Sequence, residues 1–330
     1  MIISRTPFRI SFFGGGTDYP IWYKENEGRV INASIDKYCF VNLRELPPFF
    51  DYKYRLRYFK REEVNTLDEI EHPSIRECLR YLNINKNIDL VHHSDLPAQS
   101  GLGSSSTFTV GLLHAAYAMI NKMPSKYKLA LEAIKIEQNL IGEAVGSQDQ
   151  TAAAFGGLNR VNFGGTRELS VTPLIINPER LRNLQDHLML FFTGFSRNAS
   201  SIAEKQIDLT PSKTLELNAM IDLCKEAEKS LVESQEPMSE WGRLLSEQWK
   251  IKKSMSSLIT NSDIDEMYKK AMVAGAIGGK LLGAGGGGFL LFLVEPDKQH
   301  LVKSALNGVL NVPFNFDFSG SKIVYYSNHD

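Results

Sequence analysis

The chain has 330 residues, 43% of them hydrophobic and 23% charged, and a formal net charge of -1. That length allows two domains of ordinary globular composition, and the near-neutral charge removes the electrostatic case for nucleic acid or an anionic membrane as the main partner. Cys39, Cys78 and Cys224 are odd in number and widely spaced, so neither a disulfide framework nor a zinc site is expected. The first residues show no basic segment ahead of an apolar run, and the most apolar run, 281–294, is 14 residues long and holds five glycines. A bilayer needs a longer segment, so the expectation is a cytoplasmic protein with reduced, buried thiols.

In chain order, residues 8–13 read as a strand broken by Gly14-Gly15-Gly16-Thr17-Asp18. Residues 28–34 and 37–44 read as two further strands, rich in β-branched and aromatic residues. Alternation over 52–59 predicts a strand with Arg55 and Arg57 on a solvated face and Tyr54, Leu56 and Tyr58 on a buried one. A helix is predicted over 72–82, a strand from Ile88, and a long helix over 125–141, with Leu129, Ala133, Ile136 and Leu140 at helical spacing. Residues 146–157 read as a loop of small residues and 158–163 as a strand.

A composition change near 173–185 places a domain boundary at about residue 185, giving domains 1–185 and 186–330. Beyond it come a buried strand at 187–193, a charged helical stretch over 202–276, a glycine-rich run at 283–288, a strand at 289–294, a helix over 296–310 and a last strand at 322–326. The class is α+β.

The stretch 97–107 joins strand to helix: Gly101 and Gly103 allow a sharp bend and close approach, and four hydroxyl residues open the helix. Free N–H groups at a helix start suit a phosphate, though Ser and Thr are equally good caps. Neither of the commonest nucleotide motifs is present. Gly275 to Lys280 falls one residue short of a P-loop, and the glycines at 283, 285 and 288 follow predicted helix and precede strand, the reverse of a dinucleotide site. That run either lets two backbones approach closely or lines a ligand. Three carboxylates stand out. Asp18 is an acceptor of hydrogen bonds from hydroxyls or a turn cap, Glu137 stands in a helix otherwise apolar on one side or is a solvated helix residue, and Asp149 is an acid with no evident structural need or a helix cap. Arg9 lies mid-strand, where a permanent charge implies a facing anion or carboxylate. His92 and His93 are adjacent in a strand, point to opposite faces and read as structural.

Together these residues resemble the GHMP kinase superfamily. Residues 6–18 are similar to its N-terminal substrate motif, 97–105 to its P-x-x-x-G-L-G-S-S phosphate loop, and 280–289 to its C-terminal glycine motif. The resemblance implies a two-domain α+β fold. The N-terminal domain would be like domain 2 of a ribosomal protein, with a left-handed β-α-β crossover, and the C-terminal domain ferredoxin-like, with the site in the cleft between.

It also implies ATP and Mg²⁺ as cofactors. Pro97, Ser100, Gly101, Leu102, Gly103, Ser104, Ser105 and Ser106 would bind the ATP phosphates, with Ser105 and Glu137 holding the metal. Asp149 would orient the acceptor hydroxyl beside Arg9, which would also neutralise charge on the transferred group. Gly15, Gly16, Thr17, Asp18, Gly285 and Gly286 would bind the acceptor, and Arg197 its own phosphate. The galactokinase pattern Gly-Glu-His-Thr-Asp is replaced here by Gly14-Gly15-Gly16-Thr17-Asp18, a form resembling heptose 7-phosphate kinases and related sugar kinases. A small sugar phosphate is therefore the expected partner of a monomer or homodimer. Another sugar kinase of the fucokinase or hexose kinase type, or a non-catalytic ATP and sugar sensor, are the alternatives.

Overall fold

A computed structural model describes residues 1–165, 168–194, 199–233 and 236–327. The first half runs β1 (Ile2–Phe13), α1 (Pro20–Tyr23), β2 (Gly28–Glu45), β3 (Tyr54–Arg57), β4 (Arg61–Val64), α2 (Pro73–Tyr81), β5 (Ile88–Ser94), α3 (Ser104–Met119), α4 (Lys126–Lys135), α5 (Gln148–Phe155), β6 (Leu158–Phe163), β7 (Leu169–Pro173) and α6 (Pro178–His187). The second runs β8 (Leu188–Phe192), α7 (Ala199–Leu209), α8 (Thr214–Val232), α9 (Met238–Met255), α10 (Ser262–Val273), β9 (Ala276–Leu281), β10 (Phe289–Val294), α11 (Gln299–Ala305), β11 (Leu310–Asn311) and β12 (Lys322–Tyr326).

Two sheets organise these elements. The larger has the order β12-β1-β2-β5-β3-β4, with β6 and β7 branching from β2, and the smaller has the order β11-β8-β10-β9. β2 branches because it is long. Its first residues, Gly28 to Ala33, pair with β6, and its last, Cys39 to Glu45, pair with β5. The two strands expected at 28–34 and 37–44 are thus one continuous strand of 18 residues.

α3 crosses the large sheet with Phe108, Val110, Leu112, Leu113, Ala115 and Ala116 buried, so it is apolar on more than one face. β10 is buried at every position, which explains its unbroken apolar sequence. The core runs continuously between the sheets. Trp241 on α9 meets Phe12 and Phe13 of β1 edge to face, with centroids 4.9 and 5.1 Å apart. Each such pair adds about 1 kcal/mol beyond the area it buries.

Several expectations are corrected. The strand over 52–59 is only Tyr54–Arg57, and Arg55 is buried rather than solvated, because parallel pairing places it across from Asp89. The helix over 125–141 gives way at Lys135 to a π-helical turn, Ile136–Ile141, which rotates Leu140 outward to 43% exposure. Residues 148–155 form a helix, not a loop, and the helix over 296–310 is confined to a 3-10 turn and Gln299–Ala305. Strand β9, not helix, precedes the glycine run, so the run is the turn of a β9–β10 hairpin. The last strand is β12. It pairs antiparallel with β1 and returns the chain to the first sheet.

Candidate active site

β1 enters the site carrying Arg9, only 4% exposed although permanently charged. Its guanidinium makes two parallel bonds to Asp149, from Nε to Oδ1 and from Nη2 to Oδ2, each 2.7 Å. Nη1 donates to the Gly101 carbonyl at 2.8 Å, and the Arg9 backbone N–H donates to the Leu102 carbonyl at 3.2 Å. One residue therefore joins the acid of α5 to the loop ahead of α3, and bidentate geometry fixes the carboxylate plane. At the helix start, Gly103 adopts a φ of +78°. A Cβ there would lie 3.2 Å from Asp149 Oδ2, so the sharp turn and the nearby carboxylate together demand glycine.

Asp18 sits on the other side of Asp149. Its Oδ1 accepts the Gly16 N–H at 2.9 Å and its Oδ2 the Gln148 N–H at 3.3 Å. Burial pushes its carboxyl up from the usual range, the Asp149 charge adds to this, and the two N–H donors offset part of it. Gly146 makes room for it: a Cβ at 146 would fall 1.9 Å from Asp18 Oδ2.

Glu137 lies in the π-helical turn and is fully buried. Ser106 donates to its Oε2 at 2.7 Å and Gln150 donates to the same oxygen, while Oε1 has no partner among the described residues. Burial first, then the nearby Glu143, pushes this carboxyl up to about 7.

Arg9, Asp18 and Asp149 face a cavity of 380 Å³, whereas Glu137, the expected metal ligand, is buried behind Ser106 and is not on its wall. Gly15, Gly16, Asp18, Gly101, Gly103, Ser104, Ser105, Ser106, Asp149 and Arg9 all line it. Other expected residues do not. Thr17 is fully buried and its hydroxyl serves the chain itself, donating to the Gly14 carbonyl at 2.8 Å and accepting from Arg29 N–H at 3.0 Å. Pro97, Ser100 and Leu102 lie off the cavity, the last two buried beneath it. Ser105 is exposed on the cleft, and the hydroxyl that meets Glu137 belongs to its neighbour Ser106. Gly285 and Gly286 lie against Ile259, the latter through its N–H to the Ile259 carbonyl at 2.9 Å. The loop residues on the cavity are Gly283 and Ala284. Arg197 lies outside the described residues.

The two glycine runs also touch each other: a Cβ on Gly283 would be 2.5 Å from the Gly101 Cα. Close backbone approach and cavity lining are thus both features of the hairpin turn.

Sequence reasoning missed Lys252 of α9 and Lys280 of β9, both buried on the cavity wall. Lys280 Nζ donates to the carbonyls of Ser11 and Phe12, 2.9 Å each, and tethers the hairpin to β1. Nothing in the charged stretch around Lys252 distinguishes it from its neighbours. Beyond Ser104–Ser106 the wall is aromatic. Tyr58 meets Phe59 and His72 at 4.8 Å, and both His72 and His92 pack on Phe108, at 4.9 and 4.8 Å. Burial holds His72 and His92 down to about 4, so both are neutral at pH 7.

No group of three or more His, Cys, Asp or Glu positioned to hold a metal exists among the described residues. Magnesium needs few protein ligands when phosphates and water complete its shell. The unpartnered Glu137 oxygen beside hydroxyls at a helix start fits that pattern. No helix among the described residues is long and apolar enough to cross a membrane.

A phosphate-type loop at a helix start, an Arg-clamped acid and a second sheet closing the cleft define a kinase of small molecules. Residues 72–157 match the GHMP kinases N terminal domain and residues 220–311 the GHMP kinases C terminal domain, and the chain belongs to this family. Kinases of this family take ATP as phosphate donor, generally with Mg²⁺. The chain is 32% identical to a D-glycero-alpha-D-manno-heptose 7-phosphate kinase of Campylobacter jejuni, over 96% of each chain. It is 25% identical to a galactokinase of Pyrococcus furiosus over 92% of each. A solved structure of a D-glycero-D-manno-heptose 1-phosphate kinase from Bacteroides thetaiotaomicron superposes with a TM-score of 0.81 at 24% identity, covering 99% of this chain and 100% of that one. The chain is a sugar kinase, a phosphotransferase with an alcohol group as acceptor.

Proposed function

We propose that the protein transfers the γ-phosphoryl group of ATP to the anomeric hydroxyl of D-glycero-D-manno-heptose 7-phosphate. The product is the 1,7-bisphosphate, an intermediate toward nucleotide-activated heptose for surface polysaccharide, made in the cytoplasm by a monomer or homodimer. The observation that carries the chemistry is the Arg9–Asp149 pair anchored on Gly101. It sets an acid and a cation at the mouth of the phosphate loop, where the acceptor oxygen and γ-phosphorus must meet. The acceptor O–P bond forms, the bond from the γ-phosphorus to the β,γ-bridging oxygen breaks, and the hydroxyl proton passes to Asp149. ADP leaves with the bridging oxygen.

Such transfer depends on position and charge, both of which this set supplies. Asp18 accepts sugar hydroxyls. The N–H groups and hydroxyls of 103–106 cradle the nucleotide phosphates, and the Tyr58, Phe59, His72 wall stacks on the base. Mg²⁺ would be held by Glu137 with the hydroxyls of Ser105 and Ser106, and when bound it neutralises phosphate charge. The choice of acceptor is supported by the 32% identical heptose 7-phosphate kinase and by Gly15 and Gly16, which leave the acceptor end free of side chains.

An ADP-release panel tests it. Heptose 7-phosphate is expected to exceed galactose, fucose and hexose 6-phosphates by at least ~100-fold in kcat/KM, and Asp149→Asn to lower kcat by about 100-fold or more. Preference for an unphosphorylated sugar would refute the acceptor. Full turnover by Asp149→Asn would refute the mechanism.

A further inference from the structure

Burying a lysine costs several kcal/mol unless a partner offsets it. On α9, Lys250 is exposed and Lys253 pairs with Asp265 at 3.2 Å, whereas Lys252 is only 6% exposed on the cleft wall. Among the described residues its ammonium has no carboxylate within ion-pair distance, and its one hydrogen bond is to the Gly283 carbonyl. An ammonium has three donors, so two N–H groups remain for the cavity.

The groups around it favour an anion. Arg9 is a cation matched by Asp149, burial holds the Lys280 ammonium well below its usual range, and among the described residues Asp18 is the one carboxylate facing Lys252 without a cationic partner. Glu143, also on the cleft, acts on Glu137 instead. Burial and the Arg9 charge lower Lys252 to about 8, which still leaves it mostly protonated at pH 7. Its position is specific. Gly283 rests against Gly101, whose carbonyl Arg9 holds, so Lys252 and Arg9 flank the seam between the two glycine loops from opposite halves of the chain.

We propose that Lys252 is a phosphoryl-oxygen ligand, its ammonium binding an anionic oxygen in the cleft alongside Arg9. The inference rests on the phosphoryl-transfer reading above. Two sources share this chemistry, the group in transit and the acceptor's own phosphate.

Lys252→Gln keeps a donor for Gly283 and removes the charge, and Lys252→Met removes both. Thermal unfolding of the ligand-free variants is expected at or above the wild-type temperature, because a desolvated charge has been removed. Against any acceptor the wild type phosphorylates, both variants are expected to lose activity alike. If Lys252 holds the group in transit, kcat falls about 100-fold with acceptor KM within 3-fold. If it holds the acceptor's phosphate, KM for phosphorylated acceptors rises at least 10-fold, KM for unphosphorylated ones is unchanged, and calorimetric binding of a hexose 6-phosphate is lost. Lys252→Gln with kcat and every KM within 3-fold of wild type overturns the proposal, as does loss that Gln rescues and Met does not, which marks a latch on Gly283. A wild type that ignores sugar phosphates but phosphorylates a free sugar refutes the heptose 7-phosphate reading alone, and Lys252 is then tested on that sugar.

Discussion

Gly146→Ala puts one methyl group against the acceptor end of the cleft. The added Cβ would lie 1.9 Å from Asp18 Oδ2, 2.7 Å from its Cγ and 3.3 Å from its Oδ1, so the whole carboxyl is in the way. Ordinary contact begins at 3.4 Å, which requires about 1.5 Å of movement. A carboxyl at the end of a free side chain could swing aside cheaply. This one is 2% exposed and held by the N–H groups of Gly16 and Gln148. Losing one hydrogen bond to a charged group costs about 1.5–3 kcal/mol, or roughly 10- to 100-fold in binding. Misplacing a reacting group by about 1 Å is of the same order. The acceptor KM is therefore expected to rise about 100-fold, while the Kd of ATP, measured by calorimetry, stays within 3-fold. The assay is ADP release over a range of acceptor concentrations, with thermal unfolding to verify folding. A folded Gly146→Ala enzyme with wild-type acceptor KM would show that Asp18 does not hold the acceptor, or that its anchoring is weak.

The two neighbouring serines should separate. Ser106→Ala removes a donor from buried Glu137 and is expected to cost about 1.5–3 kcal/mol in chemical denaturation. Ser105→Ala should leave stability intact and instead raise the Mg²⁺-ATP concentration needed for half-maximal ADP release; the opposite pattern would reverse their roles. A third prediction concerns pH and the fold. Burial opposes ionisation of Asp89, but hydrogen bonds from Arg55 and Arg44 outweigh it and hold the carboxyl below its usual range. A depressed carboxyl stabilises the protein above its unfolded value of about 3.9, and that contribution is lost as pH falls through the lower folded value. Asp89→Asn should cost about 3 kcal/mol at pH 7, leaving Arg55 buried and unpaired, and the gap to wild type should narrow below about pH 4. A gap independent of pH would assign the loss to packing.

Much of the site was legible because phosphate chemistry imposes local patterns. Glycines at a strand-to-helix turn and hydroxyls at a helix start are neighbours in sequence, and an arginine inside an apolar strand stands out from its own neighbours, so the loop and Arg9 could each be singled out locally although they lie 92 residues apart. Strands 158–163, 289–294 and 322–326 matched to the residue, because Gly and Pro punctuate apolar runs there. The choice between Ser105 and Ser106 was not legible. Consecutive residues on a helix point about 100° apart, and only the packing of α3 against the π-helical turn selects which hydroxyl meets Glu137. Lys252 was invisible for the same reason: it is one of several lysines on α9, and burial depends on what the hairpin of β9 and β10 lays over it. Arg55 was misread because its partner, Asp89, lies 34 residues away on a parallel strand. The sequence by itself determined the α+β class, the family motifs and their chemical types. The tertiary structure alone decided which side chains face the cavity, because orientation and desolvation arise only when distant segments pack.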